Sequence, residues 1–310
     1  MAALTTLAIV GPTASGKTAL ALELAKRLDA ELVSADSRQM YKRLDAGTDK
    51  PAGRWEGGIC RVEGVPYHLI DILDPAESTD AGDFAARAER AFVLVASRGR
   101  RAILVGGTGL YVRAALGGLD KLPRRDEAVR EALAEQAEAR GPEWLHEELS
   151  RVDPAAARQI PPRNIHRVVR ALEVHRLTGR PISSFWSNPE TAPAVYFGVA
   201  WPRVELEERI RRRCEAMLPA MIEEVRRLVP AEYTGREPGF TSIGYPEAMM
   251  CAAGEVSLDE ALKRFIQATK LYAKRQATWF RRQAPVRWLP SGAGDARVWA
   301  DEALALLGAA

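Results

Sequence analysis

Near the start of the chain, Gly11-Pro12-Thr13-Ala14-Ser15-Gly16-Lys17-Thr18 has the complete spacing of a phosphate-binding P-loop. Its glycines let backbone amides turn inward around phosphate oxygens, and a helix starting there adds the positive end of its dipole. Lys17 supplies a point charge and Thr18 a hydroxyl suited to Mg²⁺. The motif names a polyphosphate and nothing finer. Enzymes that hydrolyse ATP carry an acid at the end of a second buried strand, for metal and water. The obvious strand here, Ala102 to Val105, runs instead into Gly106-Gly107-Thr108-Gly109-Leu110-Tyr111. A hydroxyl beside bare backbone suits close approach of a ligand better than activation of water. The nearest acid at a strand end is Asp36, within Ser34-Ala35-Asp36-Ser37-Arg38-Gln39-Met40-Tyr41. A carboxylate facing bound phosphates would suit a proton acceptor for an incoming nucleophile. Holding Mg²⁺ through water, or capping a helix, are its other readings.

The surrounding elements have to place these groups. Leu4 to Val10 is an apolar run that stops at Gly11-Pro12 and reads as a buried strand. Ala21, Leu24, Ala25 and Leu28 then share one helical face, and Glu31 to Ala35 is a second strand. Strand, glycine loop, helix and strand open a doubly wound, parallel α/β sheet of the P-loop kind. Ala85 to Ala96 reads as a helix, Arg124 to Leu149 as one long polar helix, and His166 to Leu177 as another, ended by Gly179 and Pro181. Val195 to Ala200 resumes the sheet, so 117–193 is expected to be a helical insertion within a core formed by 1–116 and 194–310. Helices are expected over Val204 to Leu228, Tyr245 to Ala252 and Leu258 to Gln283.

Composition narrows the classes. The chain has 310 residues, 47% hydrophobic and 27% charged, enough for a large core with a smaller satellite. Cys60, Cys214 and Cys251 have no paired spacing, which argues against a zinc site or disulfide framework and fits a reducing, cytoplasmic setting. No run is long enough to span a membrane, and the first ten residues lack the marks of a signal peptide. Net charge is only +3, but 261–290 holds eight Lys/Arg and no acid. These cations are interleaved with Tyr272, Trp279 and Phe280, a pattern open to a solvated helix face or to a surface that tracks phosphates. Leu262, Phe265, Ile266, Thr269, Ala273 and Gln276 fall near one face and suggest a buried stripe. His68, His146, His166 and His175 lack ligand spacing, and Asp71 and Asp74, near Pro75, read as turn formers.

Five blocks in order resemble the tRNA dimethylallyltransferase family. They are the P-loop; Asp36 to Tyr41 with Gly47-Thr48-Asp49-Lys50-Pro51; Gly106 to Tyr111; Arg167-Val168-Val169-Arg170-Ala171-Leu172-Glu173; and Arg275-Gln276-Ala277-Thr278-Trp279-Phe280-Arg281. The likeness runs from about residue 7 to 288. It implies transfer of a dimethylallyl group from its diphosphate to the exocyclic amine of the adenosine beside the anticodon in tRNA. Asp36 would be the general base, with Thr108 beside the reacting centre and Arg213 near the diphosphate. Gly11 to Thr18 would hold the diphosphate, with Thr18 on Mg²⁺. The tRNA contacts would be Asp36, Ser37, Arg38, Gln39, Thr108, Arg130, His166, Arg167, Val168, Val169, Arg170, Thr241, Ser242, Ile243, Gly244 and Tyr245, joined by Arg281 and Arg282 of the basic stretch. The insertion would clamp the anticodon stem-loop, and a monomer would suffice. Pro246 departs from the family pattern where a basic residue is usual, and Met221 where a glycine is common. A small-molecule kinase and a nucleotide-switched RNA-binding protein are the competing readings. The missing strand-end acid and the basic C-terminal helix weigh against the first, and Asp36 against the second.

Overall fold

The computed structural model describes residues 6–187, 189–292 and 294–308. Contacts divide the chain into two compact units, one running through Leu116 and again from Thr191, the other Gly117–Glu190.

The larger unit is built on one eight-stranded sheet. Its strands are β1 (Thr6–Val10), β2 (Ala30–Ser34), β3 (Arg54–Glu56), β4 (Ile59–Val62), β5 (Val65–His68), β6 (Arg101–Gly106), β7 (Ala194–Ala200) and β8 (Val286–Pro290). They lie in the order β3-β4-β5-β2-β6-β1-β7-β8, parallel from β5 to β8, with β3-β4-β5 added as an antiparallel meander. Burial on both faces explains why β1 reads as an unbroken apolar run, with Leu7 to Val10 all buried. The expected first strand residues Leu4 and Thr5 lie outside the described residues. The register aligns the strand ends: Val10 lies opposite Gly106, and Ser34 opposite Val105. The turns after β1, β2 and β6 therefore emerge side by side at one edge, where open α/β sheets bind ligands.

Helices α1 (Lys17–Arg27), α2 (Ala81–Ser97) and α3 (Gly109–Ala115) connect these strands. Asp80 caps α2 by accepting from the amides of Gly82 and Asp83. At the other end of β2, Glu31 is a buried carboxylate held by His68 at 2.6 Å and Arg98 at 2.9 Å.

The smaller unit carries α4 (Glu127–Arg140), α5 (Pro142–Val152), α6 (Pro154–Gln159) and α7 (Ile165–Thr178) around its own core of Leu133, Leu145, Leu149, Val168 and Leu172. The single helix expected over 124–149 is two. Gly141, at φ 89°, ends α4, and Pro142 opens α5, a pairing of breaker and N1 proline that stops one helix and starts the next. The unit ends at Glu190 rather than 193. After β7 come α8 (Arg203–Leu228), α9 (Tyr245–Ala252), α10 (Leu258–Gln283) and α11 (Ala296–Gly308). Trp299 of α11 lies over Gly16 of the phosphate loop, where a Cβ would stand 2.7 Å from its ring. No helix among the described residues is long and apolar enough to cross a membrane.

Candidate active site

The phosphate loop is anchored from outside, leaving the first-turn amides of α1 as its orphan donors. Trp201 donates to the carbonyl of Ser15 at 2.9 Å, and Arg209 to that of Ala14 at 2.8 Å while its guanidinium lies over the Trp201 ring. The amide of Thr13 donates to Gln276 at 2.8 Å. Lys17 is half-buried and bonds the carbonyl of Pro12 at 3.2 Å. Burial lowers its ammonium to about 8, against the opposing pull of the Asp36 carboxylate.

Asp36 stands where two spaces meet. The residue lines a small chamber over the phosphate loop together with Lys17, Thr18, Asp49 and Tyr67. It also lines a larger cavity of about 430 Å³, so the two spaces share one carboxylate. Asp36 Oδ1 accepts from the amide of Arg38 at 2.8 Å, which holds the turn after β2 in place. Thr108 stands beside it, accepting from the amide of Ser37 at 3.1 Å. Tyr272 of α10 lines both spaces, and burial and the Asp36 charge push its hydroxyl up to about 12.

Arg213, on α8, reaches the loop as expected. It donates to the Thr13 hydroxyl at 2.9 Å and pairs with Asp49 at 2.8 Å. Its neighbours Arg211 and Arg212 are occupied by Glu208 on the outer face of α8. The walls of the larger cavity combine apolar Ile210, Met217, Ile243 and Phe265 with Thr13, Asp36 and Arg275. One space thus touches the phosphate loop, the strand-end acid and the basic helix α10.

The fold adds to three sequence readings. The bare backbone after β6 is expected to allow close approach of a ligand; Gly106 lines the small chamber, and Gly107 and Gly109 also allow close approach of α10. A Cβ on Gly107 would stand 2.2 Å from the amide nitrogen of Gln276, and one on Gly109 would stand 2.3 Å from the Trp279 ring. Gly107 and Gly109 let α10 pack down on the sheet edge, while Thr108 faces the larger cavity. Gln276, expected in a buried stripe, is buried and is in addition a polar bridge. Asp71 also does more than form a turn: it pairs with the ammonium of Lys50, which Asp45 also meets at 2.6 Å.

The residues expected to meet tRNA fall into two groups. Arg38 donates to the carbonyl of Pro238 at 3.3 Å and to Thr241 at 3.2 Å, so the segments 36–39 and 241–243 meet at the cavity. Arg281 and Arg282 are exposed on α10. Arg130 and 166–170 belong to the smaller unit, where His166 and Arg167 are exposed and Arg130 and Arg170 hold the buried carboxylate of Glu173 at 3.3 and 2.8 Å. Gln39, Val168, Val169 and Tyr245 are buried: the two valines pack in the core of the smaller unit, while Gln39 lines the small chamber. Gln39 donates to the carbonyl of Asp49 at 2.9 Å. Tyr245 belongs to a network that spacing did not reveal: buried Glu224 accepts from its hydroxyl at 2.5 Å and from the amides of Asp45 at 3.0 Å and Ala46 at 3.2 Å. The Tyr245 oxygen in turn accepts from Gly47 at 3.2 Å, which fixes the cavity wall carrying Thr48 and Asp49. Gly244 caps α9 in the left-handed region, Pro246 occupies its first turn, and the buried Met221 methyl fills the space between Gly47 and Gly244.

The pattern of the IPP transferase family matches residues 39–283, and that of an isopentenyl transferase family matches 4–61. The chain belongs to the IPP transferase family. It is 45% identical to a tRNA dimethylallyltransferase of Geobacter metallireducens, covering 92% of each chain. Against that of Elusimicrobium minutum it is 43% identical, over 89% of this chain and 91% of the relative. Among solved structures it resembles the full-length tRNA isopentenylpyrophosphate transferase of Bacillus halodurans, with a TM-score of 0.67 and 37% identity over 97% and 96% of the two chains. The corresponding enzyme of Staphylococcus epidermidis gives 0.69 and 32% over 98% and 99%. In this IPP transferase family member the P-loop, the turn after β2 and the basic helix surround one cavity.

Proposed function

We propose that this chain transfers a dimethylallyl group from dimethylallyl diphosphate to the exocyclic amine of the adenosine beside the anticodon in tRNA. The observation that carries the reading is the single cavity touched by Thr13 of the phosphate loop, Asp36 and Arg275. In the reaction the allylic carbon–oxygen bond breaks, a carbon–nitrogen bond forms, Asp36 takes the proton from the amine, and diphosphate departs. An allylic cation is delocalised, so the main demand on the protein is to stabilise the leaving group. The first-turn amides of α1, Lys17 and Arg213 meet it with charge already in place. Apolar walls at Ile210, Met217, Ile243 and Phe265 suit the hydrocarbon and keep water from the cation.

The donors around the small chamber fit Mg²⁺. Thr18 and Asp49 offer hard oxygens, and Mg²⁺ takes one or two carboxylates beside substrate phosphates. When bound, the ion would neutralise diphosphate oxygens. The exposed cations Arg281 and Arg282 on α10, and His166 and Arg167 on the smaller unit, suit the tRNA backbone. Choice of one adenosine would then rest on the cavity and the loop shape.

Purified protein incubated with labelled dimethylallyl diphosphate, with unmodified tRNA or AMP as rival acceptors, tests the reading. Label is expected in tRNA. Label in AMP alone, or hydrolysis of ATP with no labelling, would overturn it.

A further inference from the structure

Gln276 lies about two turns from the C-terminal end of α10 and is 5% exposed. Its carbonyl oxygen accepts from the amide of Thr13 at 2.8 Å, and its nitrogen donates to the carbonyl of Gly107 at 3.0 Å. One side chain thus closes the space between the turn after β1 and the turn after β6. The bonds continue outward, because the Thr13 hydroxyl accepts from Arg213, which is paired with Asp49. Arg209 and Trp201 hold carbonyls of the phosphate loop, whereas Gln276 holds an amide and so sets the turn of the loop where Arg213 docks. A buried amide satisfied at both ends is costly to replace, since its removal strands a donor and an acceptor in the protein.

We propose that Gln276 is a positioning residue for the reaction. It fixes the phosphate loop and, through Thr13, the direction in which Arg213 meets the departing diphosphate. This rests on the reading of the cavity as a prenyl-transfer site. Gln276 carries no charge to the substrate; its effect is on where the charged groups stand.

Two variants test it from opposite sides. Gln276→Met keeps the length and removes both bonds. Gly107→Ala leaves Gln276 in place, but its Cβ would stand 2.2 Å from the amide nitrogen and push it aside. Turnover is measured with each substrate varied in turn, together with the affinity for inorganic pyrophosphate. Both variants should lose about ten- to a hundredfold in kcat/KM for the donor and in pyrophosphate affinity, while KM for tRNA stays at the wild-type value. Should Gln276→Met fail to fold, Gly107→Ala gives the same comparison. Wild-type protein that transfers no label refutes the function itself. Active wild type, with variants that keep both donor parameters or lose donor and tRNA parameters alike, refutes the positioning role.

Discussion

Replacing Lys17 with Met should make the protein without substrate more stable at pH 7, although it removes a group proposed to grip the diphosphate. Burial lowers the ammonium from 10.5 to about 8, and each pKa unit corresponds to ~1.4 kcal/mol, so holding the charged form costs the fold ~3 kcal/mol. Partial exposure makes that an upper bound. The variant also gives up the bond to the Pro12 carbonyl, ~1 kcal/mol, leaving a net gain of up to ~2 kcal/mol. The pH dependence has a definite sign. Between about 8 and 10.5 the unfolded lysine keeps its proton while the folded one has released it. The unfolded state therefore binds more protons, and wild-type stability rises with pH across that window. Urea unfolding of both proteins at pH 7 and at pH 10.5 measures the difference. The advantage of Lys17→Met should be present at pH 7 and gone at pH 10.5. A variant less stable than wild type at pH 7, or a difference indifferent to pH, would refute the assignment of Lys17 as a strained, charged group.

Two further outcomes rest on the geometry. Arg213→Gln keeps a donor for Thr13 but loses the charge proposed to meet the diphosphate; kcat should fall about 100- to 1000-fold, with tRNA affinity unchanged in a filter-binding assay. Replacing Arg281 and Arg282 together by Ala should weaken tRNA binding and reduce the slope of log affinity against log salt by ~1.4–1.8, the share of two phosphate contacts. An unchanged slope would remove that end of α10 from the footprint.

The order of elements around the phosphate loop was legible because its signals are local. An apolar run ending at Gly11, a helical face through Leu24 and a second strand through Ser34 each declare themselves within ten residues or so. Asp36 and Arg213 were legible by position. The meander of β3 to β5 was not, since Arg54–Glu56 is exposed throughout and offers no alternation to read. Strand β8 hid behind Pro285 and Arg287 in a stretch whose charge dominates its composition. The bonding roles of Gln276 and Glu224 were not legible for a different reason. Each works by reaching across the fold, to Thr13 and Gly107 in one case and to Asp45, Ala46 and Tyr245 in the other. Helical spacing records which face is buried but not whether a buried polar group finds partners distant in sequence. The glycines after β6 show the same limit: their spacing marks close approach, while only the fold reveals that α10 is what approaches.

The central claim is that Asp36 takes the proton from the nucleophile beside a diphosphate held by the phosphate loop. Asp36→Asn tests it with little structural disturbance, because the amide oxygen can still accept from Arg38 at the present 2.8 Å. The measurement is the single-turnover rate of labelled transfer to tRNA at saturating donor, beside the affinity for inorganic pyrophosphate. The rate should fall ~10²–10⁴-fold while pyrophosphate binds at least as tightly as to wild type. Transfer at the wild-type rate, or loss of pyrophosphate binding in step with turnover, would contradict the account.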